Sequence, residues 1–67
     1  MTKILNRIQL SDKMEIQVFV TSDGHGFGLF DQDSEQFVNG SIIRFSNGDT
    51  LGLAMVGAKK LRNKATH

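Results

Sequence analysis

The stretch MEIQVFVT at residues 14–21, followed by SDG at 22–24 and HGFGLF at 25–30, decides the fold. Apolar and polar side chains alternate along residues 14–21 with a period of two, and the apolar set is rich in β-branched residues, which is typical of a strand. The SDG triplet breaks the run and turns the chain. Residues 25–30 follow as a second short strand, whose two glycines permit close approach of another backbone. The sequence therefore predicts a β-hairpin over residues 14–30.

The flanking segments extend this β pattern. Residues 36–45 predict a third strand, interrupted at Asn39–Gly40 by either a two-residue type I′ hairpin turn or a bulge within one strand. Asn47–Gly48 is a clearer hairpin signal because apolar runs flank it, and residues 51–56 predict a last strand. Residues 1–13 fit a helical face or a strand, and we favour a strand or an extended arm. Four or five short strands predict an all-β fold in the form of a small barrel, since an open sheet leaves unpaired edges.

Length and composition exclude several classes of function. A chain of 67 residues forms one domain, and it contains no cysteine and only two histidines. Disulfides, thiolate catalysis and cysteine- or histidine-rich metal sites are therefore excluded. The serines have no neighbouring base to activate them, so we expect no enzymatic activity and no cofactor. No apolar run approaches the ~20 residues of a membrane span and no signal-peptide pattern is present, so we expect a cytoplasmic protein that does not bind membranes.

The charge is unevenly distributed along the chain. Residues 14–37 carry five acidic side chains and no lysine or arginine, whereas residues 55–67 carry a net charge of +4. A basic tail suits a polyanion, because binding releases its counterions, and it suits an acidic protein partner equally well. We therefore divide the chain into an N-terminal arm or extra strand at 1–13, a barrel domain at 14–58 and a basic tail at 59–67.

Four segments occur in the order found in the cold-shock domain. The segment IQVF at 16–19 stands where that family has Val-Lys-Trp-Phe, and HGFGLF at 25–30 resembles its first ribonucleoprotein motif, Lys-Gly-Phe-Gly-Phe-Ile. The segment FVNGSII at 37–43 resembles the second motif, Phe-Val-His-Phe-Ser-Ala-Ile, and VGAKK at 56–60 resembles Val-Glu-Gly-Lys-Lys. Residues 14–60 thus resemble a divergent, shortened cold-shock domain, a five-stranded OB-type barrel.

This resemblance implies weak, non-catalytic binding of single-stranded RNA or DNA, in RNA chaperoning or in regulation of gene expression. In that family aromatic rings on adjacent strands stack the bases and basic residues hold the phosphates. The rings of Phe19, Phe27 and Phe37 match the family, whereas His25, Leu29 and Asn39 replace other residues at family positions. Lys59 and Lys60 match its basic pair, and we expect them to hold phosphates together with Arg62 and Lys64 of the tail.

The resemblance is incomplete at two further positions, where Val18 and Gly40 replace aromatic residues. Strict alternation directs Val18 inward, although the aligned position in the family faces outward. Either a bulge lies in this strand, or the alignment with the family is out of register there. Phe27 and Phe37 are also plausible core or dimer-interface residues, since five phenylalanines are the only aromatics. The acidic stretch at 14–37 would repel phosphate, so the alternative function is a small protein-interaction or inhibitor module that kept the fold but not the nucleic-acid site. A truncated barrel can also complete its sheet by strand pairing with a second copy, which would give a homodimer.

Overall fold

The computed structural model describes residues 3–65, which form a five-stranded antiparallel sheet and one helix. The elements in chain order are β1 (Lys3–Gln9), β2 (Met14–Val20), β3 (His25–Asp31), β4 (Gln36–Phe37), β5 (Ile43–Phe45) and α1 (Thr50–Ala65). The expected predominance of β structure is confirmed. The expectation of an all-β barrel is wrong, because the sheet stays open and a helix covers one of its faces.

Strands β1, β2 and β3 form a continuous meander in which each strand pairs with the next. The predicted hairpin over residues 14–30 is confirmed, with Ile16 opposite Leu29 and Val18 opposite Phe27. The register of β2 against β3 is uninterrupted and Val18 is fully buried, so the bulge considered for this strand is absent. The segment 1–13 contains the extra strand that its pattern favoured, and the one register shift of that pair falls in β1, between Ile4 and Asn6.

The predicted third strand is divided into β4 and β5. Both pair with the same edge of β3, β5 with its first residues and β4 with its last. They do not pair with each other, so Asn39–Gly40 is neither of the two alternatives considered, a hairpin turn or a bulge. Gly40 instead has a φ of 76° in the connection, a left-handed conformation that glycine adopts without strain.

The strand predicted at residues 51–56 is wrong, because these residues form the first half of α1. Asp49 caps this helix: its Oδ1 accepts a hydrogen bond from the Gly52 amide at 3.0 Å, and its carbonyl accepts one from the Leu53 amide at 3.0 Å. The hairpin predicted at Asn47–Gly48 is therefore also wrong, since this turn leads from β5 into α1. Residues 59–65 of the segment assigned as a basic tail continue the same helix.

Helix α1 packs on one face of the sheet and forms the core with it. Its Ala54 and Ala58 are fully buried against Ile16, Val18 and Phe27. Alanines at a spacing of four lie on one side of a helix, and their small side chains bring the helix axis close to the sheet. The described part of the chain contains no helix long and apolar enough to cross a bilayer.

The opposite face of the sheet carries a second aromatic cluster. The Phe37 ring contacts Phe19 and Phe30 edge-to-face, with centroid distances of 5.7 and 5.3 Å. Gly26 and Gly28 make room for these rings, because a Cβ at Gly26 would lie 2.9 Å from the Phe19 ring and one at Gly28 would lie 3.1 Å from the Phe37 ring. The phenylalanines are thus divided between the two faces of the sheet.

Candidate functional site

A groove of about 440 Å³ lies between the C-terminal half of α1 and the segment that connects β4 to β5. Buried Phe27 and half-buried Leu29 and Leu61 form its floor. Exposed Lys60 and Lys64 stand at its rim. We call this site the helix groove, and it combines an apolar interior with two cationic side chains at its opening.

The helical repeat explains why these side chains meet. Gly57, Lys60 and Lys64 follow one another at spacings of three and four, so they lie along the same flank of α1. Gly57 has no side chain, and the Phe27 ring lies directly against it: a Cβ there would be 2.3 Å from Cε1 of Phe27. The glycine thus lets the helix approach the sheet while the two lysines stay beside the groove.

The field around the groove is positive. Helix α1 carries Lys59, Lys60, Arg62 and Lys64 and no acidic residue, and all four cations are exposed. Lysine and arginine in the last turns also interact favourably with the carbonyl end of the helix dipole. Lys59 and Arg62 do not line the groove, and Arg62 contacts the neighbouring Asn63 side chain at 3.3 Å.

The predicted stacking rings do not form one exposed surface. Phe19 and Phe27 are only 3% and 4% exposed, and Phe27 packs face-to-face with Phe45 at 6.3 Å. The interpretation of Phe27 as a core residue therefore fits its position. Phe37 is half-buried and lies on the other face of the sheet, so Phe27 and Phe37 cannot stack neighbouring bases side by side.

The remaining predicted residues lie in different places. His25 Nδ1 is 2.8 Å from Thr50 Oγ1, which ties the start of β3 to the first turn of α1. Lys64 follows Thr50 by fourteen residues in α1, so the two residues are about 20 Å apart at a rise of 1.5 Å per residue. Asn39 is exposed in the β4–β5 connection, next to a residue that lines the groove.

Of the residues that the sequence singled out, the structure brings together Phe27, Leu29, Lys60 and Lys64 in the helix groove. Sequence reasoning misses Gly57 and Leu61, because a strand prediction for residues 51–56 hides the helical repeat to which both residues belong. The signal that identifies them is the spacing of Ala54, Ala58 and Leu61, which is that of one helical face.

Within residues 3–65, no group of three or more acidic or histidine side chains is placed to hold a metal ion. The chain matches no protein-family model, no curated protein sequence and no solved structure.

Proposed function

We propose that this protein is a non-catalytic binder of single-stranded nucleic acid and that the helix groove is its site. The observation that carries the proposal is an apolar groove with Lys60 and Lys64 at its rim. A single strand offers the complementary pattern, because its unpaired bases have apolar faces and its backbone is anionic. In a duplex the bases are stacked and paired, so their faces are not available to such a groove.

The groove has the dimensions of a small-molecule site, for which volumes of about 300–1,000 Å³ are usual. A base that enters the groove contacts Leu29 and Leu61 above the buried Phe27 ring, and the adjoining phosphates lie beside Lys60 and Lys64. Lys59 and Arg62 add to the attraction from other sides of the same helix. The interaction with the backbone is independent of sequence, so we expect little base preference from this groove.

We expect the affinity to be low, as anticipated from the sequence. Stacking on an exposed ring contributes about 1–3 kcal/mol per base, and the two most buried rings, Phe19 and Phe27, offer no free face. The acidic side chains Asp31 and Glu35 also repel phosphate near the β3–β4 turn, where Asp33 is paired with Lys13. We also propose a cytoplasmic location, together with the role in RNA chaperoning or regulation of gene expression that the family resemblance implies.

The test is the salt dependence of binding to a fluorescently labelled oligonucleotide, measured by anisotropy, with a variant that carries both Lys60→Gln and Lys64→Gln. Each phosphate contact on a single strand contributes about 0.7 to the slope of log K against log salt, so loss of both lysines should reduce the slope by about 1.4. The matched control carries Lys3→Gln and Lys13→Gln, which removes the same charge from β1 and the β1–β2 turn. Equal effects of the two variants, or no binding by the wild type at low salt, would contradict the proposal.

A second candidate function, a protein-interaction module, has its own supporting observation. Leu51, Leu53 and Val56 of α1 are 42%, 46% and 53% exposed, and Leu53 and Val56, which are three residues apart, are neighbours on the helix surface. A variant with Leu53→Gln and Val56→Gln separates the two functions. If oligonucleotide binding survives and a wild-type oligomer dissociates in sedimentation velocity, the exposed apolar residues form a protein interface. If the wild type is monomeric and captures no stoichiometric protein partner, this second function is rejected.

A further inference from the structure

The face of the sheet opposite α1 contains a second concavity, of about 490 Å³, with a polar lining. We call it the polar cleft, and its lining residues are Arg7, Glu15, Gln17, Phe30, Gln32 and Glu35. Glu15 and Gln17 are each only 4% exposed, although no helix covers this face. Burial of a carboxylate and a carboxamide is costly unless both are hydrogen-bonded, so the cleft must be internally organised.

The Glu15 carboxylate provides that organisation. Its Oε1 accepts a hydrogen bond from Gln32 Nε2 at 2.7 Å, and its Oε2 accepts one from Gln17 Nε2 at 2.5 Å. Gln32 is fixed further by reciprocal amide bonds with Gln9, at 3.1 and 3.2 Å. With both amide nitrogens directed at one carboxylate, Gln17 Oε1 remains as an acceptor that makes no hydrogen bond within residues 3–65.

Two charged side chains of the cleft take no part in this hydrogen-bond network. The Arg7 side chain is 66% exposed and reaches Glu15 only through Nε, at 3.7 Å, which is beyond hydrogen-bond distance. Glu35 is exposed at a φ of 56° in the β3–β4 turn, and its carboxylate makes no hydrogen bond or ion pair in the described part of the chain. The cleft therefore presents unused donors from Arg7 and unused acceptors from Gln17 and Glu35.

An aromatic wall completes the cleft. The Phe30 ring is half-buried and is held edge-to-face by Phe37 at a centroid distance of 5.3 Å. A flat, fixed ring beside hydrogen-bonding groups favours a ligand that is itself flat and has donors and acceptors on its edge.

We propose that the polar cleft is a second ligand site that binds a nucleobase, with guanine as the best match. Guanine offers O6 and N7 as paired acceptors, to which arginine donates bidentately. Its N1–H and N2–H₂ donors lie on the adjacent Watson–Crick edge, and they suit the acceptors Glu35 and Gln17 Oε1. Uracil lacks the exocyclic amine and should bind more weakly.

The charges of the cleft predict which form of the base is preferred. Glu15 and Glu35 of the cleft, with Asp31 and Asp33 at the adjoining turn, are four carboxylates. They face two cations, Arg7 and Lys13, of which Lys13 pairs with Asp33 at 3.1 Å. Phosphate is therefore repelled, so a nucleoside should bind more tightly than its 5′-monophosphate. This behaviour is opposite to that of the helix groove, which requires phosphate, and the inference therefore stands independently of the proposed function.

The experiment is a titration of ¹⁵N-labelled protein with guanosine, uridine and guanosine 5′-monophosphate, followed by amide chemical shifts. Guanosine should shift the resonances of Gln17, Phe30 and Gln32 more than the other two compounds do. Arg7→Met should weaken guanosine binding by about tenfold, since it removes the bidentate donor. The matched control Arg44→Met changes an exposed arginine opposite Gly26, outside the cleft, and should have no effect.

Glu35→Gln gives an independent readout, because this exposed side chain has no partner within residues 3–65 whose loss would disturb folding. It should weaken guanosine binding and reduce the discrimination against the 5′-monophosphate. The variant with Lys60→Gln and Lys64→Gln should bind guanosine like the wild type, which separates this site from the helix groove. Absence of shifts in the cleft, equal binding of guanosine and uridine, or equal effects of Arg7→Met and Arg44→Met would overturn the inference.

Discussion

Replacement of Gly57 by alanine tests the close packing that forms both the core and the floor of the helix groove. In a helix interior alanine is normally more stable than glycine by about 1 kcal/mol. At this position, however, the added Cβ would lie 2.3 Å from Cε1 and 2.7 Å from Cζ of Phe27. Carbon atoms in favourable contact are about 3.5–4.0 Å apart, so the ring or the helix must move by about an ångström.

That movement is resisted from several sides. Phe27 is 4% exposed and packs on Phe45, and the backbone of α1 is held at a short distance by Ala54 and Ala58. Overpacking of this kind costs about 1–3 kcal/mol, which exceeds the gain in helix propensity. We therefore expect Gly57→Ala to destabilise the protein by about 1 kcal/mol, or to lower Tm by about 4–8 °C for a domain of this size.

The assay is urea unfolding followed by far-ultraviolet circular dichroism, since the chain contains no tryptophan or tyrosine. Phe27→Leu serves as the partner mutation because it removes Cε1 and Cζ, the two nearest of the three ring atoms that an alanine at 57 would meet. If the clash is the cause, the double variant will be more stable than the sum of the single effects by about 1 kcal/mol. A Gly57→Ala variant that is more stable than the wild type, or strictly additive effects, would refute this account of the packing.

Three further substitutions test the remaining contacts by urea unfolding. Asp49→Ala removes the cap of α1 and should cost about 1 kcal/mol, whereas Asp49→Asn, which also caps well, should cost little; equal losses would exclude the capping role. Thr50→Val removes the hydroxyl that His25 contacts at 2.8 Å, and it should cost about 1 kcal/mol in the wild type but little in a His25→Ala background. Lys13→Gln breaks the exposed ion pair with Asp33 and should change stability by less than about 0.5 kcal/mol; a larger loss would mean that this pair contributes more than exposed pairs usually do.

The central hairpin could be predicted because its local signals agree. Period-two alternation placed Ile16 and Val18 on one face, and those two side chains are fully buried. The turn after β2 forms where Gly24 occurs, with the Thr21 amide donating to the Gly24 carbonyl at 2.8 Å. A Cβ at Gly24 would lie 2.0 Å from the carbonyl oxygen of Phe45, so this glycine also permits the pairing of β5 beside it.

The helix could not be predicted from alternation alone, because the segment 51–61 contains both a strand-like and a helix-like pattern of apolar residues. Leu51, Leu53 and Met55 alternate as in a strand, whereas Ala54, Ala58 and Leu61 repeat as in a helix. The two patterns are distinguished by what precedes and follows them. Asp49 provides the cap, and the basic residues that appeared to be a tail are the last turns of the helix. Since a helix covers the sheet, the sheet does not need to close into a barrel to bury its apolar face.

The alternation of side chains along a strand decides on which face of the sheet each phenylalanine lies. This position limits what a motif match can imply about base stacking. Phe27 and Phe30 are three residues apart on β3, so an extended strand directs them to opposite faces. Phe37 lies directly opposite Phe30 in the ladder and therefore shares its face, away from Phe27. Two aromatic rings from neighbouring sequence motifs can stack bases of the same nucleic-acid chain only if both rings lie on the same face of the sheet. Here they do not, so any base contact made by Phe27 occurs in the helix groove, and any contact made by Phe30 or Phe37 occurs on the other side of the molecule.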